Sequence, residues 1–496
     1  MAIWKSIVGA LIWLIILIVL AIPLGLLALY KVSLCLVLYF FKIRGENGVD
    51  RLYSLDPVDC MFAPDSSSKR PLANFGFFMI IEGKIGVEEL RSHFQTCFLN
   101  ENEDNRYEKL YSHLERFGGY IFRATAPTLD INEHVVERRM EEGEIWEEFL
   151  VKWMLEKWKQ LKPCWEIIVV PLKRNGMENE ETIVAFKIHH GLADGYSLIH
   201  ILDKLTGCQS PYLVKDFEKG WVFKQMKQIL EMPLTIRKFG GWGGVENNPF
   251  RVKLNFATEG KFVDEFQMGF TTVNLEDVKR IRRNYGVKLA SVLLTIMTGA
   301  MRRYALEVEG REEIPEEFLG ALTLPWPKHP TRQPGTRNKD KLCNHWVTGF
   351  LKLPLKEQDP EVRVKTIEAG IHLWQEELGL DKFMGRIMLP LMWLVPRLMG
   401  EDEIGLDAGS GGGVTSLVGS EQEYTLLGKR VKNVFPWMVI TDTTPFTGLN
   451  CFTFSHGGKL NLSFGAHPSV LMKQENLNLF SQKLFHEELE RFLKLI

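Results

Sequence analysis

The sequence predicts an α/β protein of two subdomains that follow an N-terminal membrane helix. Three observations lead to this class. Strand-like segments alternate with segments of helical spacing in both halves of the chain. A glycine-rich stretch at 240–249 separates the halves, and an uncharged run of 24 residues, Ile7 to Tyr30, lies near the N-terminus. The 496 residues are enough for two or three domains.

The first element is the apolar run at the N-terminus. Residues 7–30 are long enough to cross a bilayer core and too long for the apolar region of a cleaved signal peptide. Residues 32–41 are too short to span, so we expect them at the interface or as the extension of a tilted helix. Lysines and arginines are more numerous after the span, which favours a cytosolic catalytic region. We therefore predict a membrane anchor at 1–45, in the endoplasmic reticulum or the plasma membrane.

One sequence feature would fit the opposite orientation. Asn461-Leu462-Ser463 is an acceptor sequence for N-glycosylation, which occurs on the lumenal side. It lies within an alternating, strand-like segment, and it is therefore weak support for a lumenal position.

The two subdomains follow the anchor. Residues 46–240 form the predicted N-terminal subdomain, 241–265 the linker and 266–496 the C-terminal subdomain. In the first, the patterns predict strands at 75–82, 165–172 and 182–189 and helices at 87–98, 146–158 and 195–204. In the second, they predict helices at 289–304 and 485–496, strands at 318–324 and 346–353, and a hairpin at 452–464 that turns at 456–458.

Two further segments of the second half carry distinctive compositions. Residues 387–399 are apolar but broken by prolines, and they fit either the core or a membrane-interface helix. Residues 409–413 are rich in glycine without the lysine of a phosphate-binding loop, which predicts a flexible loop.

Charge and cysteine content exclude several classes of protein. The chain carries 60 basic and 62 acidic side chains, a net charge of −2, which argues against a nucleic-acid surface. Its seven cysteines are scattered without Cys-x-x-Cys spacing. That distribution indicates a reducing compartment and no disulfide framework.

The candidate chemistry lies at the end of the strand 182–189, in a His-His pair three residues before Asp-Gly. Adjacent side chains of a strand point to opposite faces, so only one of His189 and His190 can face a given cavity. Asp194 is placed to cap the following helix, and a neutral imidazole at a strand end suits a general base. A purely structural pair remains an alternative. So does a zinc site using these residues or His200, although adjacent strand side chains diverge.

The pattern His-His-x-x-x-Asp-Gly at 189–195 resembles the active-site signature of the condensation-domain and chloramphenicol-acetyltransferase superfamily. Within it, the sequence is most similar to the wax ester synthase/diacylglycerol acyltransferase family. Residues 163–166, Pro-Cys-Trp-Glu, are similar to that family's Pro-Leu-Trp block. Weaker similarities cover residues 59–62, 75–83, 87–98 and 322–327, and Asn344 with the Leu-Pro at 353–354. The resemblance extends over roughly residues 55–495.

The resemblance implies two chloramphenicol-acetyltransferase-like subdomains with a tunnel at their interface, entered by coenzyme A and by the acceptor from opposite ends. It implies that His190 is the general base and His189 its structural neighbour. Asp194 would hold the loop by a salt bridge or cap, Gly195 would leave room for the acyl donor, and Asn344 would be a polar site contact. Acyl-CoA would be a cosubstrate, with no metal and no resident cofactor.

The implied reaction is acyl transfer from acyl-CoA to a lipid alcohol, giving wax esters from fatty alcohols or triacylglycerol from diacylglycerol, with a sterol also open. No Gly-x-Ser-x-Gly nucleophile pattern occurs, which favours direct transfer without an acyl-enzyme. Two departures oppose full activity: Ala290-Ser291 replaces the family's Asn-Asp, and residues 415–420 replace its Ser-Asn-x-Pro-Gly-Pro. A membrane-anchored lipid-binding protein on the same fold is therefore the alternative. A peptide-forming condensation module and a soluble acetyltransferase fit less well, and the oligomeric state stays open.

Overall fold

The structure is a computed structural model. It describes residues 2–41, 52–55, 58–59, 73–99, 107–172, 180–214, 227, 230, 250, 266–332, 342–376, 411–439, 448–467, 470–471 and 473–496. The predicted linker at 241–265, apart from residue 250, and the segment at 387–399 lie outside these residues.

The described residues form two large sheets, one small sheet and the helices that cover them. The strands are β1 (Leu52–Ser54), β2 (Asn74–Glu82), β3 (Ser112–Phe117), β4 (Tyr120–Thr125), β5 (Val135–Glu137), β6 (Trp165–Leu172), β7 (Glu181–His189), β8 (Gln267–Asn274), β9 (Glu317–Pro325), β10 (Trp346–Pro354), β11 (Gly412–Val418), β12 (Thr425–Leu426), β13 (Lys429–Met438), β14 (Leu449–His456) and β15 (Lys459–Ala466). The helices are α1 (Ala2–Phe41), α2 (Val87–Phe94), α3 (Ile131–His134), α4 (Trp146–Met154), α5 (Gly195–Thr206), α6 (Leu275–Tyr285), α7 (Leu289–Arg303), α8 (Pro360–Glu376), α9 (Gln474–Leu479) and α10 (Phe485–Leu493).

The first large sheet carries the His-His pair. Its strand order is β12-β13-β2-β7-β6-β5, antiparallel except for the parallel pair β5/β6. One face packs against α2 and α5, and the other packs against α4. Strand β7 is buried along its whole length because it is central in the sheet and covered on both faces. Its near-continuous apolar sequence reflects that position.

The second large sheet has the order β10-β9-β11-β14-β15-β8, with parallel pairs β9/β11 and β11/β14. Helices α6, α7, α8 and α10 cover one of its faces and form a separate apolar core with it. The opposite face is turned towards the first sheet, and β13 contacts both β14 and β15. The space between the two sheets is therefore available for a site.

The two sheets are not built from two consecutive segments of the chain. Strand β13 follows β11 in sequence, yet it pairs antiparallel with β2, placing Trp437 opposite Gly76 and Met438 opposite Phe75. The predicted division of the chain into two subdomains at 241–265 therefore needs a correction. Residues 425–438 of the predicted C-terminal subdomain form β12 and β13 of the sheet that carries β2 and β7. Side-chain periodicity identifies a strand but not its partner, so this exchange is invisible in the sequence pattern.

The N-terminal helix packs beside the small sheet of order β1-β4-β3. The Tyr30 hydroxyl donates to the carbonyl of Gly118 at 3.1 Å, and Lys31 lies over the ring of Tyr120. Among the described residues, no helix combines the length and apolarity needed to cross a membrane. The predicted transmembrane anchor is thus not supported.

Most predicted elements of the two halves are confirmed, with differences at their ends. The hairpin of β14 and β15 turns at Gly457 and Gly458, both with positive φ, as predicted. Helix α4 ends at Met154 rather than 158. There the Asn74 amide donates to the carbonyl of Met154, and Lys187 Nζ donates to that of Trp153, so tertiary donors satisfy the last helical carbonyls.

Candidate active site

His189 is the last residue of strand β7, and His190 is the first residue of the turn that follows it. The two side chains have different surroundings, as alternation predicts. His189 is fully buried, and its Nδ1 accepts a hydrogen bond from the backbone N–H of Gly191 at 3.0 Å. That contact closes the turn after the strand. His190 stacks on Phe75 at a centroid distance of 4.0 Å, and it lines a cavity between the two sheets. The sheet therefore assigns a structural environment to His189 and a cavity environment to His190.

The ring of His190 is oriented by Asn344, which lies two residues before β10. Asn344 Nδ2 donates to Asp59 Oδ1 at 2.8 Å and to the carbonyl of His190 at 2.6 Å. Its Oδ1 accepts from Trp346 Nε1 at 3.1 Å and faces His190 Nδ1 at 3.0 Å. An indole N–H can only donate, so the amide orientation is fixed. His190 Nδ1 must then carry the proton, which leaves the lone pair on Nε2.

The amide of Asn344 is hydrogen-bonded to a buried ion pair, Asp59–Lys109. Lys109 Nζ lies 2.9 Å from Asp59 Oδ2, and both side chains are buried. The chain of contacts runs from the ammonium through the carboxylate and the amide to the imidazole. Because the carboxylate accepts from Asn344 with its other oxygen, the ion pair holds the orientation that selects the His190 tautomer.

The surroundings of His190 keep its ring neutral. Burial lowers its pKa to about 4, against the opposing effects of its own backbone carbonyl and of the Asp194 charge. The side-chain partner of the ring at Nδ1 is the amide of Asn344. At neutral pH the imidazole is therefore uncharged and able to accept a proton at Nε2.

Asp194 joins three segments around the site and does so from a buried position. Its Oδ1 accepts the backbone N–H of Ser197 at 2.9 Å, which caps α5, and Oδ2 accepts the backbone N–H of His345 at 2.7 Å. His329 Nε2 lies 3.1 and 3.0 Å from the two carboxylate oxygens. Burial would raise the pKa of Asp194, but His329 and the two backbone donors lower it to about 2. The carboxylate stays charged and holds the loop.

The cavity itself has a volume of about 90 Å³ and a mostly apolar lining drawn from both sheets. The first sheet contributes residues around His190 and Phe75, and the second contributes residues such as Thr323 and Phe452. A cavity thus lies where the resemblance implies an interface tunnel. The passage of a tunnel to opposite ends of the molecule stays a prediction.

Gly195 lines this cavity. A Cβ on Gly195 would lie 2.8 Å from Leu417 Cδ2, so the glycine lets Leu417 of β11 approach the start of α5. Its expected role in leaving room for the acyl donor stays a prediction. Asn344 contacts His190 directly, and its expected contact with substrate likewise stays a prediction.

The two departures from the family pattern have different locations. Ser291 is fully buried at the start of α7, where its hydroxyl donates to Glu368 at 2.5 Å. Neither Ala290 nor Ser291 belongs to the cavity lining. By contrast, residues 415–417 line the cavity, and the retained Gly419 could not carry a Cβ, which would lie 2.5 Å from the carbonyl oxygen of Ser455. Only the second departure changes the chemistry of the cavity.

The zinc alternative finds no support in the geometry. His189 and His190 have different surroundings, and His200 Nε2 lies 2.9 Å from the hydroxyl of Tyr107. Within the described part of the chain, no group of three or more His, Cys, Asp or Glu side chains is placed to hold a metal ion.

Several residues of the site have no role in the sequence-based account: His329, Asp59, Lys109 and Trp346. For two of these residues the sequence contained an indication of a role. Asp59 is the first residue of the segment 59–62, and His329 follows the segment 322–327, and both segments are similar to blocks of the family. Neither segment indicated which side chain it would contact. Those contacts join positions 135 and 285 residues apart.

Comparisons with solved structures define the class of fold. The chain is similar to the wax ester synthase/diacylglycerol acyltransferase from Marinobacter aquaeolei VT8, with a TM-score of 0.57 and 13% identity over 89% of this chain and 98% of that one. It is also similar to the first condensation domain of the CDA synthetase, with a TM-score of 0.54, 12% identity and coverage of 89% and 96%. A starter condensation domain of rhizomide synthetase, solved with C8-CoA and Leu-SNAC, gives 0.56 at 11% identity and coverage of 89% and 94%. The protein therefore has the condensation-domain α/β fold.

Sequence comparisons narrow this class. The WS/DGAT C-terminal domain matches residues 343–487. Two Mycobacterium tuberculosis proteins with the provisional name diacylglycerol O-acyltransferase are 23% and 26% identical over 347 and 226 residues, which are 62% and 41% of this chain. The matched segments span 64% and 45% of those relatives. The chain is therefore similar to the wax ester synthase/diacylglycerol acyltransferase family over part of its length.

Proposed function

We propose that this protein is an O-acyltransferase that transfers a long-chain acyl group from acyl-CoA to the hydroxyl of a lipid alcohol. The observation that carries the proposal is His190, held as a neutral Nδ1–H tautomer beside an apolar cavity between the sheets. The match of residues 343–487 to the WS/DGAT C-terminal domain supports the reaction class, and the rhizomide synthetase domain was solved with an acyl-CoA on this fold.

The chemistry follows from the position of the lone pair. As the alcohol oxygen attacks the thioester carbonyl carbon, His190 Nε2 takes the hydroxyl proton. The tetrahedral intermediate then expels the coenzyme A sulfur, and the imidazolium returns the proton to it. One ester bond forms and one thioester bond breaks, with no change in oxidation state. Hydrogen bonds from Asn344 to the His190 carbonyl and at Nδ1 keep the ring in place through both transfers.

The acceptor class is a lipid alcohol: a fatty alcohol, a diacylglycerol or a sterol. The apolar lining supports this class over a polar metabolite, and the names of the family and its relatives support wax esters and triacylglycerol as products.

We further propose that the protein works at a membrane surface, on the cytosolic side of the endoplasmic reticulum or the plasma membrane. Helix α1 exposes a row of large aliphatic side chains, including Leu11, Ile18, Ile22 and Leu29, each more than half exposed. Contact with lipid would cover this surface. Asn461 of the glycosylation sequence is fully buried in β15, which removes the main argument for a lumenal position.

Acyl transfer by the purified full-length protein tests the proposal. Detergent-solubilised protein is supplied with a long-chain acyl-CoA and a panel of alcohols, and the release of free coenzyme A and the ester product are both measured. We expect turnover by the wild type, and a decrease of about 10²–10⁴-fold in His190→Ala, the usual contribution of general acid–base catalysis.

His189→Ala is the matched control, because it removes the neighbouring imidazole, which has different surroundings. We expect a lower melting temperature but a near-normal rate per folded molecule. A folded His190→Ala protein with an unchanged rate would remove the catalytic role. Lipid binding without turnover by the wild type would favour the alternative of a lipid-binding protein on this fold.

A further inference from the structure

Trp437 of β13 lines the same cavity as His190. Strand β13 is the neighbour of β2 in the first sheet. On β2, Phe75 stacks on His190, and the next residue, Gly76, lies opposite Trp437 of β13. Phe75, Gly76 and Trp437 all line the cavity. A Cβ on Gly76 would lie 1.8 Å from the carbonyl oxygen of Phe186 on β7 and 3.0 Å from Trp437 Cζ2, the ring carbon adjacent to the one that bears Nε1. The close approach of the Phe186 backbone and of the indole ring therefore requires glycine at this position.

The indole N–H of Trp437 is an unsatisfied donor. The residue is 1% exposed, and its Nε1 has no hydrogen-bond partner among the described residues. Four other buried tryptophans donate to an acceptor: Trp153 to Glu166, Trp158 to Asn74, Trp165 to the carbonyl of Leu110 and Trp346 to Asn344. A buried donor without an acceptor costs free energy, so its retention beside a cavity points to a ligand that supplies the acceptor.

The chemistry of the surroundings restricts that ligand. An indole N–H donates and cannot accept, so the ligand must bring an acceptor oxygen. The neighbouring cavity residues, such as Met438, Val439 and Phe452, are apolar, so the oxygen must belong to an otherwise apolar molecule. The carbonyl oxygen of an ester or a thioester meets both conditions, whereas a hydrocarbon tail meets only the second. The hydroxyl oxygen of a fatty alcohol also accepts hydrogen bonds, but the proposed function places that oxygen at His190 Nε2.

We infer that Trp437 Nε1–H donates a hydrogen bond to a carbonyl oxygen of a bound acyl lipid. The inference rests on the proposed function for the identity of the lipids. Two sources share the chemistry: the thioester of the acyl donor, and an ester of a glyceride acceptor. A plain fatty alcohol lacks this carbonyl.

Trp437→Phe tests the inference, because it removes the N–H and keeps an aromatic ring. In the full-length protein with ¹⁵N-labelled indoles, the resonance missing from Trp437→Phe assigns Trp437. Dioctanoylglycerol, octanoyl-CoA and 1-octanol are then titrated into the wild type. We expect a downfield shift of that resonance with a carbonyl-bearing probe and none with 1-octanol. In parallel, kcat/KM is measured with dioctanoylglycerol and with 1-octanol as acceptors.

The two sources give different patterns. A shift with dioctanoylglycerol and a loss of about tenfold in kcat/KM for that acceptor alone identify the acceptor ester, the loss being that expected for one hydrogen bond. A shift with octanoyl-CoA and an equal loss for both acceptors identify the thioester. Trp158→Phe, which removes a bonded N–H away from the cavity, is the control and leaves the ratio of the two acceptors unchanged.

An unshifted Trp437 resonance with both carbonyl probes, together with wild-type kinetics in Trp437→Phe, overturns the inference. Failure of the proposed function gives a different result, since a shift on binding does not require turnover. A shift without any turnover would support the carbonyl site and reject the transferase.

Discussion

At the scale of single residues, the proposed base His190 has an amide at Nδ1, where many catalytic histidines have a carboxylate. An amide oxygen fixes the tautomer without adding a negative charge that would raise the pKa. Burial therefore dominates, and the pKa of His190 falls to about 4. The site gains a base that is neutral throughout the physiological range, at the expense of basicity.

The pH dependence of kcat/KM should report this pKa. We expect the acid limb of the profile to have an apparent pKa near 4, below the ordinary histidine value, because kcat/KM reflects the free enzyme. Since the folded pKa is depressed below 6.5, the unfolded chain binds more protons between these values. The contribution of His190 to stability is thus full above pH 6.5 and is lost as the pH falls through about 4.

Rates from about pH 3 to 9 and denaturant unfolding at the same pH values check both statements, since the range must extend below the pKa of His190. His190→Ala is the control for stability, and its unfolding free energy should fall less steeply over that range. An acid limb of the wild-type kcat/KM profile with an apparent pKa near 6.5 would contradict the lowered pKa of the buried His190 ring.

The buried pair Asp59–Lys109 gives a second prediction at this scale. Asp59→Asn leaves the Lys109 ammonium buried without its carboxylate, and we expect destabilisation of about 3–5 kcal/mol. The amide of Asn344 loses its charged acceptor, so we expect kcat to fall by about 10²-fold with little change in KM, through misorientation of His190. Chemical denaturation and steady-state kinetics measure the two effects.

Glu317→Gln is the matched control, since Glu317 forms an ion pair with Lys352 at the surface. We expect a stability change there of less than about 1 kcal/mol and unchanged kinetics. If Asp59→Asn behaved like this control, the positioning role of the pair would be wrong.

At the scale of elements, the Asp194 carboxylate hydrogen-bonds to the start of α5 and also to the connection between β9 and β10. Asp194 caps the helix, and His329 brings the distant loop to it. His329 is itself held by Thr331, whose backbone N–H donates to Nδ1 at 3.3 Å, so Nε2 is the atom that donates to Asp194. The position of Asn344 depends on the same connection, because His345 donates its N–H to Asp194.

Breaking the His329–Asp194 contact should make the positions of the site residues less fixed without removing a direct contact of His190. We expect His329→Ala to destabilise the protein by about 1.5–3 kcal/mol, the range for a hydrogen bond to a charged group, and to lower kcat. His329→Gln retains a side-chain N–H donor and should recover part of both losses. A double-mutant cycle with Asp194→Asn measures the coupling, and a coupling energy near zero would show that the two residues act separately.

At the scale of the whole molecule, the sheets are linked by the exchange of β12 and β13 into the first sheet. Strand β13 provides Trp437 and Met438 to the cavity and pairs with the strand that carries Phe75. The cavity therefore depends on both halves of the chain at once.

The exchange predicts that residues 46–240 do not fold alone. Without β13, strand β2 would become an exposed apolar edge, which promotes aggregation. We expect the fragment to be insoluble or poorly structured, by circular dichroism and size-exclusion chromatography, while the full chain is folded. Hydrogen exchange on the full chain should show common protection of β2 and β13. A soluble, monomeric fragment with native-like circular dichroism would contradict this view.

The sequence by itself determined the local features of this protein. Alternation along 182–189 separated His189 from His190, the Asp-Gly spacing predicted the cap of α5, and the glycine pair predicted the turn of the last hairpin. These features depend on neighbours within a few residues, so periodicity and turn chemistry reveal them. The family similarity of 189–195 then indicated the fold.

Only the tertiary structure decided what surrounds His190. The Asp59–Asn344 contact, the His329–Asp194 contact and the pairing of β13 with β2 join residues more than a hundred positions apart. No local pattern encodes such partners, because a side chain's period specifies its face and not its neighbour. The tautomer and low pKa of His190 and the open donor of Trp437 arise from those partners and from burial, and so they became visible only in the folded chain.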